Sequence, residues 1–173
     1  MADMTKKLEM GANIAIVVVA MVLASVLIKN YASSRTQSPP RIPVGTKVAL
    51  PNVNWQAGDE TVVLGLSTTC HYCNESAGFY RELAKVCKER NVRTLAVFPQ
   101  PIEAAEKYMK DIGITFDEIR HARLADLEIS GTPTLLLVDK TGAVKSVWIG
   151  KLEDNIEKKL LANLAMNQAA GRP

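Results

Sequence analysis

The sequence predicts an α/β fold in which helices cover a mixed β-sheet, preceded by one N-terminal transmembrane helix. Three observations predict this fold. Short apolar runs rich in β-branched residues alternate with stretches whose apolar residues recur every three or four positions. Two late apolar runs are separated only by Lys140-Thr141-Gly142, which is typical of a hairpin. A run of nineteen residues near the N-terminus carries no charge.

The uncharged run extends from Met10 to Ile28 and is long enough to cross a bilayer as a helix. Lysines flank it on both sides, so we predict a transmembrane helix over 10–29 behind a short N-terminal flank, 1–9. A cleavable signal peptide is the alternative, but its apolar region is usually only about 7–15 residues long. The flanking charges do not decide the orientation in the membrane.

Three further segments follow the predicted span. Serine and proline are frequent in 30–46, which shows no apolar periodicity and is expected to form an extended linker. We expect 47–166 to form the globular domain and 167–173 a disordered tail.

Composition excludes several classes of protein. The net charge is only +3, and basic residues are interspersed with acidic ones rather than forming a stripe with aromatics, which argues against nucleic-acid binding. Three cysteines are too few for a disulfide-scaffold protein, and their odd number leaves one outside any pair.

The first half of the globular domain predicts two strands and two helices. Residues 61–67 form a continuous apolar run typical of a strand buried on both faces. Over 74–90, apolar residues recur at helical spacing above a charged face. Residues 92–98 repeat the strand pattern. A second helix is predicted to begin near Pro101 and to end at Gly113.

The second half predicts a hairpin and a closing helix. A short strand at 114–116 and a short helix around 119–127 precede the two hairpin strands, 134–139 and 143–149. Strands linked through helices run parallel whereas hairpin strands are antiparallel, so the sheet is mixed. The apolar face of the closing amphipathic helix is formed by Leu152, Ile156, Leu160 and Leu164.

Cys70 and Cys73 are spaced C-x-x-C where a predicted strand ends and a helix begins. Free backbone N–H groups at the start of a helix stabilise a thiolate, so Cys70 is the candidate nucleophile. Cys73, one turn later, can close a disulfide and is better shielded. Thiol–disulfide exchange requires such an attacking and resolving pair. A purely structural disulfide is the alternative, although a clip across so short a loop stabilises little.

Four residues accompany this pair. His71 and Tyr72 separate the cysteines and are candidates for redox tuning. A positive charge on His71 beside the thiolate would favour the reduced form, and a solvated residue without this role is the alternative. Thr132-Pro133 directly precedes a predicted strand, where a proline at a strand edge is the ordinary interpretation.

A strand, a C-x-x-C pair, a helix and a later Thr-Pro before a strand together resemble the thioredoxin superfamily over about 47–166. With the N-terminal span, the chain resembles the membrane-anchored TlpA/ResA-like redoxins. The resemblance implies a thioredoxin-like sheet, Cys70 as the attacking cysteine and Cys73 as the resolving one. It implies a cis-proline at Pro133 and a substrate-docking loop at Thr132-Pro133. Thr69, Tyr72 and Leu64 stand where such proteins often have Trp, Pro and a buried acid.

The resemblance also implies partners and a location. The partners are client proteins with cysteines or disulfides, a redox protein that recycles the pair, and the membrane. The domain is expected on the extracytoplasmic, periplasmic side. No cofactor, metal or nucleic acid is implied. The alternative function is copper binding or delivery through Cys70, Cys73 and His121. Cys87 is too far from Cys70 along the helix, on the order of 25 Å, and is expected to be a buried hydrophobe.

Overall fold

The computed structural model describes residues 16–25 and 42–166. The chain divides into two compact units, 1–40 and 41–173. In the first unit, residues 16–25 form helix α1, whose large apolar side chains are exposed. Among the described residues, no helix combines the length and the apolar character needed to cross a membrane.

Several predicted segments lie partly or wholly outside the described residues. The transmembrane prediction, 10–29, extends beyond α1 at both ends and stays a prediction. The flank 1–9 and the tail 167–173 are not described, and neither is the linker up to residue 41.

The second unit contains a β-sheet with helices packed against it. The described strands are β1 (Glu60–Gly65), β2 (Arg93–Phe98), β3 (Glu118–His121), β4 (Thr134–Asp139) and β5 (Val144–Ile149). The described helices are α2 (His71–Glu75), α3 (Ala77–Glu89), α4 (Ile102–Asp111) and α5 (Asp154–Met166), with 3-10 turns at Trp55–Ala57 and Leu124–Leu127.

The sheet is mixed, as predicted, and its strand order is β3-β2-β1-β4-β5. β1 pairs with β2 and β2 with β3 in parallel, whereas β4 is antiparallel to both β1 and β5. The chain steps from β1 to β2 to β3 in one direction across the sheet. Because such crossovers are right-handed, α3 and α4 lie on the same face.

Alternating side chains place a core on each face of the sheet. Under the helices, Val62 and Leu64 of β1 pack with Leu83 of α3 and Leu160 of α5. Against the opposite face lie the segment before β1 and the second 3-10 turn, where Leu127 packs in the other core. Helices therefore cover one face, and irregular segments cover the other.

The predicted start of the globular domain at residue 47 was too late. Ile42 is only 5% exposed and packs in the second core, although the prediction placed it in the linker 30–46. Gly45 N donates to Val144 O at 2.7 Å, and Val144 N donates to Thr46 O at 2.9 Å. The linker prediction failed here because residues 42–46 have no periodicity of their own. They are held by pairing with a segment near Val144, about 100 residues later in the sequence.

Two local predictions were wrong in their element type. Residues 114–116 are not a strand. Glu118–His121 is the strand β3, although its last residues were predicted to begin a short helix over 119–127. Hydrogen bonding explains the strand, because β3 pairs with β2 and the Asp117 side chain accepts from Thr94 N and Oγ1, both at 2.7 Å. Only the 3-10 turn Leu124–Leu127 remains of the predicted helix.

The helix predicted over 74–90 begins earlier and is interrupted. α2 begins at His71, and Ser76, with φ −86° and ψ 3°, separates it from α3. The hairpin prediction was correct, with Gly142 N donating to Asp139 O at 2.9 Å. Gly142 has φ +82°, and a side chain there would meet Trp55, so this turn requires glycine.

Candidate active site

The two cysteines lie beyond the carboxyl end of β1, next to the end of β2. Leu66 N donates to Val97 O at 2.9 Å, which continues the pairing of the two strands by one residue. The chain then turns through residues 67–69, and Cys70 N donates to Ser67 O at 3.1 Å. This turn places Cys70 at the N-cap of α2.

Cys70 and Cys73 form a disulfide whose Cα atoms are 5.2 Å apart. Cys70 is half-buried, whereas Cys73 is 0% exposed. The two cysteines therefore differ in access, and only Cys70 has surface that a large reactant can meet. The attacking role of Cys70 and the resolving role of Cys73 stay predictions.

A backbone donor is directed at the Cys70 sulfur. Cys73 N lies 3.1 Å from Cys70 Sγ, which accepts its hydrogen bond. Because α2 contains only five residues, this local N–H contact matters more than the dipole of a long helix. A hydrogen bond to the charged form favours it, so the contact lowers the free energy of a Cys70 thiolate.

The structure brings Thr132 and Pro133 beside the disulfide, sixty residues away in sequence. The Thr132–Pro133 peptide bond is cis. The Thr132 carbonyl oxygen lies 3.3 Å from Cys70 Sγ, so the reduced thiol can donate to it. Pro133 is buried, and its carbonyl accepts from Gly150 N at 2.7 Å. Thr134 Oγ1 donates to Gly131 O at 2.7 Å, which anchors the loop from the other side.

His71 and Tyr72 both point away from the core. Tyr72 is 56% exposed, and the His71 and Tyr72 rings meet edge-to-face with centroids 5.7 Å apart. His71 Nε2 lies 2.9 Å from Glu75 Oε1, and Lys151 Nζ donates to Glu75 Oε2, also at 2.9 Å. The hydrogen bond from Lys151 is the main cause that lowers the pKa of Glu75.

The sequence prediction missed Glu75 and Lys151. Glu75 carried a signal, because it lies four residues after His71 on a helix, where side chains meet. Lys151 carried none, since it reaches Glu75 only through the fold.

Ser67 and Gln100 are also unpredicted members of the site. Gln100 Nε2 donates to Ser67 Oγ at 2.8 Å, and Gln100 Oε1 accepts from Thr68 N at 3.3 Å. One signal could have identified the pair: parallel strands end at the same sheet edge, so polar residues just after β1 and β2 are neighbours.

Cys87 is remote from the site and lies in the apolar core at 0% exposure. Burial, with a smaller effect from the Asp117 charge, raises the pKa of its thiol to about 12. His121 Nδ1 lies 2.7 Å from Gln100 O. Within residues 16–25 and 42–166, no group of three or more His, Cys, Asp or Glu side chains lies close enough to hold a metal ion. The copper alternative therefore gains no support from this arrangement of Cys70, Cys73 and His121.

Comparison with known proteins identifies the fold. No protein-family model matches the chain, and no curated protein sequence matches it. Solved structures do match, however. The thioredoxin domain of a thiol-disulfide oxidoreductase from Bacteroides vulgatus superposes with a TM-score of 0.58 at 14% identity, over 72% of this chain and 99% of that one.

Two further structures agree. A Chlorobium tepidum protein described as the thiol:disulfide interchange protein DsbE has a TM-score of 0.57 at 18% identity, over 72% of this chain and 99% of that one. A thiol-disulfide isomerase from Corynebacterium glutamicum has a TM-score of 0.54 at 18% identity, over 75% and 98%. Sequence identities this low are evidence for a shared fold and for nothing beyond the fold. The described domain thus has the thioredoxin-like fold that the sequence motifs predicted.

Proposed function

We propose that this protein is a membrane-tethered thiol–disulfide oxidoreductase that exchanges disulfides with client proteins through Cys70 and Cys73. One observation carries the proposal: the disulfide joins a half-buried cysteine, Cys70, to a fully buried one, Cys73, beside the carbonyl of Thr132. A structural clip has no need of this asymmetry. The thioredoxin-like fold, shared with proteins described as thiol–disulfide oxidoreductases, supports the same function.

The exchange proceeds in two balanced steps. The Cys70 thiolate attacks one sulfur of a client disulfide, forming a mixed disulfide and releasing a client thiolate. The Cys73 thiolate then attacks Cys70 Sγ, which re-forms the Cys70–Cys73 disulfide and releases the second client thiolate. The client gains two electrons and the pair loses two. The reverse sequence oxidises a client dithiol.

Thr132 and Tyr72 are suited to hold the client during these steps. The Thr132 backbone lies within hydrogen-bonding distance of the reacting sulfur, where an extended peptide can pair with it in the manner of an added strand. Tyr72, two residues after Cys70, offers an exposed ring for apolar contact. A second redox protein must reset the pair after each turnover, because one exchange leaves it in the opposite redox state.

Insulin reduction coupled to a dithiol donor tests the activity. The full chain should accelerate the precipitation of insulin B chain. Cys70→Ala should abolish the acceleration, and Cys87→Ala should leave it near wild type because Cys87 is buried away from the site. Equal activity of wild type and Cys70→Ala would refute the proposal.

The membrane tether is proposed from the N-terminal segment. Seven large apolar side chains of α1 are exposed, namely Ile16, Val17, Val18, Val19, Met21, Val22 and Leu23. Such a surface is unfavourable in water and favourable in lipid. Ser25 Oγ donates to Met21 O at 2.7 Å, so its hydroxyl has a hydrogen-bond partner within the helix.

We place the domain on the extracytoplasmic side, in the periplasm, where disulfide chemistry is common. Two measurements test the tether and the location. Alkaline carbonate should leave the protein in the membrane fraction. Alkaline phosphatase fused after residue 173 should be active. Extraction into the soluble fraction would contradict the tether, and an inactive, stably expressed fusion would contradict the location.

A further inference from the structure

The Gln100 side chain joins the loop after β2 to the loop that carries Cys70. Its amide orientation is determined by the backbone, because Thr68 N can only donate and must therefore face Gln100 Oε1. Nε2 then faces Ser67 Oγ at 2.8 Å. A half-buried side chain thus holds two successive residues of the loop, 67 and 68.

The held loop determines where the Cys70 sulfur lies. Ser67 O accepts from Cys70 N at 3.1 Å, and the Ser67 and Thr69 hydroxyls are 3.1 Å apart. From this position Cys70 Sγ receives the hydrogen bond of Cys73 N at 3.1 Å. Movement of the loop would therefore change the donor geometry around the sulfur.

Gln100 is itself anchored from the far side. His121 Nδ1 lies 2.7 Å from the backbone carbonyl oxygen of Gln100, which only accepts, so Nδ1 carries a proton and donates. Ala122 N donates to Phe98 O at 2.9 Å and ties the end of β3 to the end of β2. His121 therefore holds the backbone of Gln100, while the Gln100 side chain holds the Cys70 loop.

We propose that Gln100 is a positioning residue for Cys70, which stabilises the thiolate by holding residues 67 and 68 so that Cys73 N–H stays directed at the sulfur. The inference rests on the proposed function, since it concerns the nucleophile of that reaction. In this arrangement His121 anchors the backbone of Gln100 and is not a metal ligand.

Alkylation of Cys70 measures the effect directly. In the full chain carrying Cys73→Ala and Cys87→Ala, Cys70 is the single thiol, and the backbone N–H at position 73 is kept. The rate of reaction with iodoacetamide against pH gives the midpoint of its ionisation. We expect Gln100→Ala to lower the thiolate fraction near neutral pH by about threefold to tenfold, the range set by one net hydrogen bond.

Two variants make the comparison specific. Ser67→Ala should shift the midpoint in the same direction, and the double variant should shift it no further than the larger single change, because both act through one contact. Gln56→Ala makes the same chemical change on an exposed residue of the first 3-10 turn and should match wild type.

These measurements distinguish a positioning role of Gln100 from an effect of Gln100 on folding stability alone. An unchanged Cys70 midpoint in Gln100→Ala would overturn the inference, even if the urea midpoint of unfolding fell. An equal shift in Gln56→Ala would also overturn it. If Gln100→Ala shifts the midpoint but the wild-type chain does not reduce insulin, the positioning inference stands and the proposed function fails.

Discussion

Replacing Cys73 by Ala should stall the exchange at the mixed disulfide between Cys70 and a client. The chain has three cysteines, so Cys87 is the one remaining thiol that could resolve the adduct from within. Whether the adduct persists therefore depends on the reactivity and the reach of Cys87.

The structure gives both quantities for Cys87. Its pKa of about 12 leaves roughly 1 thiol in 100,000 ionised at pH 7, against about 3 in 100 for an ordinary thiol. Thiolate availability alone thus slows attack by more than about a thousandfold. Cys87 is also 0% exposed and lies ten residues after the start of α3, on the order of 15 Å along the helix axis. Resolution by Cys87 should therefore be about a thousandfold slower than resolution by an ordinary thiol, so the adduct should accumulate.

Non-reducing gels of membranes from cells expressing the variant should show adducts that disappear on reduction, and mass spectrometry of these bands names the clients. Cys70→Ala should trap little, because Cys73 is fully buried. The Cys73→Ala, Cys87→Ala double variant is the matched control and should trap the same adducts with the same lifetime.

Two results would refute this reasoning. A longer adduct lifetime in the double variant than in Cys73→Ala would show that Cys87 reaches the site. Equal trapping by Cys70→Ala and Cys73→Ala would contradict the difference in access between the two sulfurs.

Three further predictions concern titration, charge and packing. Because burial raises the pKa of Cys87 to about 12, the unfolded chain loses this proton first, so the stability present below pH 9 should fall as pH rises. Between pH 10 and 11 the loss should approach about 1.4 kcal/mol per pH unit more than in Cys87→Ala, measured by urea unfolding. Glu75→Gln removes the carboxylate between His71 and Lys151, which should make the Cys70–Cys73 couple more oxidising in a glutathione titration at low salt. Glu82→Gln, on the exposed face of α3, should leave the reduction potential unchanged. A lower potential in Glu75→Gln would contradict this prediction. Leu64→Ala should cost about 2–5 kcal/mol of unfolding free energy, because Leu64 is buried between the sheet and the helices, and a loss below 1 kcal/mol would contradict that packing.

Most of the secondary structure could be predicted from the sequence because it depends on local patterns. The strand 134–139 was predicted to the residue, since a continuous apolar run bounded by turn residues leaves little freedom in its limits. The hairpin turn followed from Lys140-Thr141-Gly142, because only glycine readily adopts the positive φ at position 142. The C-x-x-C spacing likewise placed Cys70 and Cys73 one helical turn apart, which is close enough for a disulfide.

The errors in the prediction, by contrast, arise where contacts distant in sequence determine the conformation. β3 is a strand because β2 offers it hydrogen bonds, and Gly45 and Thr46 are held because Val144 pairs with them. Neither partner is near in sequence, and neither segment has a periodicity that would reveal the pairing. Intrinsic preference is weak in such short segments, so the tertiary contact determines the conformation.

The sequence by itself determined most of the elements, their order and the C-x-x-C pair of Cys70 and Cys73. Only the tertiary structure decided which cysteine is partly exposed, which carbonyl lies beside it and which side chains bond to its loop. Thr132, Lys151 and Gln100 reach the site from three separate loops, because the carboxyl ends of β1 and β2 meet the start of β4 and the end of β5 at one edge of the sheet. Strand order and register set those distances, and they follow from packing the whole core rather than from any local pattern.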